Sequence, residues 1–151
     1  MSLQQWANNG WLRRHQSSAG EIQDLLAIVR RDLADAERDI SADWRFGIAY
    51  NAALKLCMIL LHASGYRPEK TLQRYRTLQA LPLILGADRK ADAEYLDACR
   101  IKRNTVEYDR AGSATKKDAD ELIEFTRELQ KAVRDWLQTN HIELLLSEDQ
   151  P

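Results

Sequence analysis

The stretch WRFGIAYNAALKLCMILLHA, residues 44–63, is apolar on nearly every face of a helix. A helix that lies on a surface keeps one polar side for water. One that is apolar all round must be enclosed by others. The chain is therefore expected to be an all-α bundle built around this segment. Ser41 or Asp43 can cap its start, and Gly65 ends it after about Ser64. Its longest apolar run, residues 48–63, is broken by Asn51, Lys55 and His62. That reads as too short and too polar for a membrane span.

The remaining helices follow from spacing. Ser18 and Glu21 form a capping-box pattern, and Ile22, Leu25, Leu26, Val29, Leu33, Ala36 and Ile40 recur at helical intervals. Arg30, Arg31, Asp32, Glu37 and Arg38 occupy the opposite side. Pro68 is placed to open a fourth helix with the stripe Leu72, Tyr75, Leu78, Leu81 and Leu85. Pro82 should kink or end it, and Gly86 punctuates the chain. A fifth helix is expected over about 89–109. Thr115 and Asp118 start a last one, carrying Leu122, Phe125, Leu129, Val133, Trp136 and Leu137. A short helix over 3–15 is weakened by Gly10. There is no strand alternation, internal repeat or low-complexity segment. Long helices and short loops imply an antiparallel up-and-down bundle of five or six helices. The expected organisation is an N-terminal extension at 1–16, the bundle at 17–146 and a frayed tail at 147–151.

Charge and cysteine content narrow the function classes. The formal net charge is −1, so no global field draws in nucleic acid or an anionic membrane, and any polyanion site must be a local patch. Cys57 and Cys99 form no CxxC pair and read as reduced core residues of a cytoplasmic protein. The opening MSLQQWANNGWLRR has no signal-peptide core. His15, His62 and His141 are far apart in sequence and share no HxH, HxxxH or ExxH spacing, so neither a metal nor a cofactor is expected. His62, near the end of the third helix, reads as a capping residue. There is no Gly-rich phosphate loop and no nucleophile elbow.

The fifth helix holds the anomaly. Leu96, Cys99, Arg103 and Val106 recur at i, i+3, i+7 and i+10, which puts Arg103 on the apolar stripe. A guanidinium there needs a carboxylate, a ligand phosphate or a second subunit, unless it reaches past the rim. Glu107 is one available partner. Arg100, Asn104 and Tyr108 form an i, i+4, i+8 row beside it, so a guanidinium, an amide and a phenol share one groove. Arg67, Lys70, Arg74 and Arg76 cluster upstream, while Arg100, Lys102, Arg103 and Arg110 add charge on the fifth helix. Side by side, the two helices would make a basic groove. Alternatively they form a solvated face balanced by Asp92, Glu94, Asp97 and Asp109.

The stretch RNTVEYD, Arg103 to Asp109, resembles the motif of the HEPN (higher eukaryotes and prokaryotes nucleotide-binding) family. Arg103 and Asn104 match, and Tyr108 stands where histidine is expected. DWRFGIAYNAALKL, GYRP, RYRTLQALPLILG and RNTVEYDRAG, in that order, are similar to a bacterial HEPN subgroup whose motif reads Arg-Asn-x-x-x-Tyr-Asp. The likeness spans roughly residues 41–137.

The resemblance implies a helical homodimer whose motif helices line a shared cleft. In active members, which are metal-independent ribonucleases, arginine steadies the phosphate and histidine moves protons at the ribose 2′-hydroxyl. That division suits the two side chains. Tyrosine, with an ordinary pKa of about 10, is a poor base at neutral pH. The expected function is therefore a dimeric RNA- or nucleotide-binding protein rather than a conventional RNase. Arg74, Arg100, Arg103, Asn104 and Tyr108 would form its phosphate-binding set. The resemblance also implies a possible toxin–antitoxin or defence setting, with a nucleotidyltransferase partner for which Tyr108 is a candidate acceptor. The alternative is an active ribonuclease using Arg103 and Tyr108 with a histidine borrowed from elsewhere, His62 being the candidate. A third reading is a scaffold whose apolar seams serve only assembly.

Overall fold

A computed structural model describes residues 1–108 and 112–146, with side chains at all of these except 105–108. The phenol of Tyr108, the carboxylates of Glu107 and Asp109, Arg110 and the tail at 147–151 lie outside the described residues. Four long helices make the bundle: α2 (Ala19–Ala36), α3 (Ala42–Ala63), α6 (Lys90–Tyr108) and α7 (Lys116–Asn140). Three short ones accompany them: α1 (Leu3–Asn8), α4 (Gln73–Gln79) and α5 (Leu81–Leu85). The all-α bundle expected from the sequence is the architecture found.

Helix α3 is its centre. Phe46, Ala49, Tyr50, Ala52, Ala53, Leu56, Cys57, Ile59, Leu60 and Leu61 are each at most 2% exposed. Small side chains at 49, 52 and 53 let neighbouring backbones approach, while Phe46, Leu56 and Ile59 fill the gaps between helices. Around α3 close Ile22, Leu26, Val29 and Leu33 of α2, Leu96 of α6, and Leu122, Leu129, Val133 and Leu137 of α7. By length and composition α3 could cross a membrane, contrary to the reading that it is too short. Yet 67% of its most apolar window is buried inside the bundle. Cys57 and Cys99 are buried and free, as expected.

Polar contacts fix the helix directions. Arg45, early in α3, meets Asp120, early in α7, at 2.6 Å, so these two helices run the same way. Glu37 at the end of α2 meets Arg127 at 2.9 Å, and Gln23 near its start reaches the Leu146 carbonyl; α2 therefore opposes α7. Lys102 late in α6 meets Asp118 at 3.2 Å, so α6 opposes α7 as well. Successive long helices alternate up and down. Ser41 caps α3, and Asp43 instead accepts from the amides of Gly112 and Ala114 ahead of α7. Thr115 and Asp118 form a complete capping box.

Several expectations need correction. The N-terminal helix stops at Asn8, and Gly10 (φ 79°) turns the chain into a strand, β1 (Leu12–Arg14). It pairs antiparallel with β2 (Tyr66–Pro68), Leu12 opposite Pro68. Each strand is three residues long, too short to show alternation in sequence. Pro68 thus ends a strand rather than opening a helix, at a position that needs no donor. α4 starts only at Gln73, after Leu72 in the left-handed region (φ 54°). Pro82 breaks the expected fourth helix into α4 and α5. α2 ends at Ala36, which leaves Ile40 exposed. Ser18 caps α2, but Glu21 makes no reciprocal bond because its carboxylate is engaged elsewhere. Residues 1–16 pack on the bundle through a second core of Trp6, Leu12, Leu61, Tyr66 and Ala80.

Candidate functional site

Tyr50 lies midway along α3 and is 1% exposed. Its hydroxyl has no hydrogen-bond partner among the described residues. A buried phenol normally finds one. Burial pushes its pKa up to about 12, opposed by the nearby charges of Arg74, Arg100 and Arg103. Three arginines thus lie close enough for their charges to act on this orphaned hydroxyl. Arg74 comes from α4 and the other two come from α6.

Each arginine is held differently. The Arg103 guanidinium carbon lies 5.5 Å from the centroid of the Tyr50 ring, a cation–π arrangement. The apolar-stripe position that the spacing assigned to Arg103 thus brings it onto an aromatic face of α3. Arg100 donates from Nε to Asp97 Oδ1 at 2.8 Å, which orients the fork along α6. Arg74 and Arg100 line a cleft of about 560 Å³ together with Leu72, Gln73 and Tyr75. Tyr75, read in sequence as part of a buried stripe, is 40% exposed there, and Leu72 is 56% exposed. Asn104 follows Arg100 by one turn and is half-buried. Arg74 and Arg100 thus share one cleft, and the charges of both act with Arg103 on Tyr50. Tyr50 was missed because it read as one more core aromatic; only the lack of a hydroxyl partner marks it.

Several members of the wider set of cations are engaged away from Tyr50. Arg76 stacks over Trp11 at 4.3 Å. Lys102 is taken by Asp118. Arg67 sits in β2 near His62, whose charged form it disfavours. Of the upstream cations, Arg74 is the one whose charge acts on the Tyr50 hydroxyl. The balancing acids are partly accounted for, Asp97 by Arg100 and Asp92 by Arg89 at 3.1 Å.

The histidines gather at the other end. His62 follows Tyr50 by twelve positions on α3, which is about 18 Å at 1.5 Å per residue. It cannot serve Arg103 of the same chain, which corrects its candidacy as a borrowed base. Nor is it a simple helix cap, because its ring turns to Glu21 and His15. Burial holds the His62 pKa down to about 4, with Arg67 and His15 acting in the same direction and Glu21 against them. His15, His62 and His141 line one cleft, an assembly that local spacing could not reveal.

No family model, curated protein or solved structure matches this chain.

Proposed function

We propose that the chain is a HEPN-like, homodimeric protein that binds RNA or a nucleotide through the cleft lined by Arg74 and Arg100. The observation that carries this reading is the orphaned Tyr50 hydroxyl on which the charges of Arg74, Arg100 and Arg103 act. A phosphate oxygen that displaced the side chains covering this hydroxyl would accept from the phenol and from guanidinium forks, satisfying a buried donor. Exposed Tyr75 beside Arg74 offers a ring on which a base can stack. Asn104 would orient the phosphate, and Tyr108 would add a hydrogen bond or a second stacking surface.

Binding without conventional cleavage follows from chemistry. The motif position for a proton-moving histidine holds Tyr108, and the chain's histidines lie at the far end of α3. A second motif helix across a two-fold axis would double the cleft. A cytoplasmic setting with a nucleotidyltransferase partner completes the proposal, with the Tyr108 hydroxyl as acceptor.

The test is equilibrium binding of a short single-stranded RNA and of a mononucleotide, with light scattering on the same samples. Saturable binding by a dimer, lost in Arg103→Ala and weakened in Tyr50→Phe, supports the reading. Binding that ignores both substitutions, or a monomer that binds nothing, overturns it.

A further inference from the structure

Glu21, in the first turn of α2, has its carboxylate between two imidazoles. His15 Nε2 lies 2.8 Å from Oε1 and 3.0 Å from Oε2. His62 Nδ1 lies 3.2 Å from Oε1. The donor atoms of all three residues fall within 4.8 Å of one another. They come from three elements: the residue after β1, the start of α2 and the last turn of α3. The His15 amide donates to the Gly65 carbonyl at 2.9 Å, and Ser17 Oγ donates to the His62 carbonyl at 2.8 Å. Backbone and side chain thus pin both histidines beside the carboxylate.

The second observation is His62 itself. It is 2% exposed, and its Nδ1 has no well-aligned hydrogen bond among the described residues, the 3.2 Å contact to Glu21 having the distance but not the alignment of one. A buried ring nitrogen and a carboxylate oxygen that face each other without a hydrogen bond are a costly pair. A cation bound by both relieves that cost.

We infer that His15, Glu21 and His62 form a binding site for one divalent transition-metal ion of the zinc class. The ligand chemistry is two neutral imidazoles and one carboxylate, a set that suits zinc. Ligands about 2.0–2.1 Å from a tetrahedral ion stand roughly 3.4 Å apart. Both Glu21 contacts are already near that spacing, and the third side, within 4.8 Å, is bordered by the partly exposed His15 ring, which has room to adjust. His15 and His62 line a cleft of about 570 Å³ that His141 and Glu143 also border. The fourth coordination position therefore opens to solvent, as in sites that bind water or a small ligand. The site is independent of the arginine cleft, about 18 Å along α3 from Tyr50.

The experiment uses the full chain after chelator treatment, titrated with cobalt(II) for its visible ligand-field absorption and with zinc(II) by calorimetry. The expected result is one ion per chain, tetrahedral-type cobalt absorption displaced by zinc, and a higher melting temperature with metal. His15→Ala and Glu21→Gln, both at partly exposed side chains and checked for native circular dichroism, lose the absorption and the thermal shift. His141→Ala, outside the ligand set, keeps both. A folded wild type that binds neither ion leaves only a His15–Glu21 hydrogen bond and overturns the inference. So does binding that survives in both variants, or that His141→Ala abolishes equally.

Discussion

The Arg103 guanidinium lies over the Tyr50 ring, 5.5 Å from its centroid, while the Tyr50 hydroxyl hydrogen-bonds nothing among the described residues. The ring is used and the polar tip is not. Tyr50→Phe should therefore separate folding from binding. Removing an unsatisfied buried hydroxyl is expected to leave stability unchanged or raise it by about 1 kcal/mol. The same change should weaken RNA or nucleotide binding severalfold. Urea unfolding beside equilibrium binding checks both, and a large loss of stability would show that the hydroxyl has a partner.

Arg74→Ala, Arg100→Ala and Arg103→Ala should each lower RNA affinity. Each should also reduce the slope of log affinity against log salt by about 1, because each removes one phosphate contact. Arg76→Ala, whose guanidinium lies on Trp11 instead, should leave that slope unchanged. Binding measured across a salt series distinguishes the four.

Leu72 holds a left-handed conformation while 56% exposed. A leucine there carries a steric cost and contributes little packing. Leu72→Gly is expected to raise stability by roughly 0.5–1 kcal/mol, read as a shift in the denaturant midpoint. A decrease would mean that the leucine side chain is held by contacts of its own.

Burial raises the Cys57 thiol from an ordinary 9.0 to about 12. A group held neutral by the fold contributes stability that is complete below its unfolded pKa. That contribution falls as pH climbs from 9 toward 12, because the unfolded chain releases the proton first. Stability should accordingly decline across this window, less so in Cys57→Ala after allowing for its lost methylene-scale packing. Thiol labelling of the native protein at pH 8 should be slow at both Cys57 and Cys99, whose thiol is likewise raised, to about 11.

Thr115→Ala removes one half of the capping box that starts α7. The expected loss is about 1 kcal/mol, measured by thermal or urea unfolding.

The sequence made some of these features visible and hid others for physical reasons. The position of α3 was legible because an all-round apolar helix has only one place to go. Arg103 was legible because helical spacing put a charge on a seam. The β1–β2 pair was not, since three-residue strands carry no periodicity and Gly10 and Pro68 read equally well as helix punctuation. Tyr50 was hidden because the missing partner of a hydroxyl is a property of its three-dimensional surroundings. The cluster of His15, Glu21 and His62 was hidden for a related reason. Metal-ligand patterns are recognised at spacings of a turn or so, and here two of the three residues are brought together by chain reversal between α2 and α3.

The enclosure of α3 also governs how the molecule breathes. α2, α4, α5, α6, α7 and β2 all pack against it, so no local fluctuation of one neighbour bares its backbone. Amides in the middle of α3 should exchange with deuterium only when the whole domain opens, and their rates then report the global unfolding free energy. Tyr50 rides on the slowest-exchanging part of the chain.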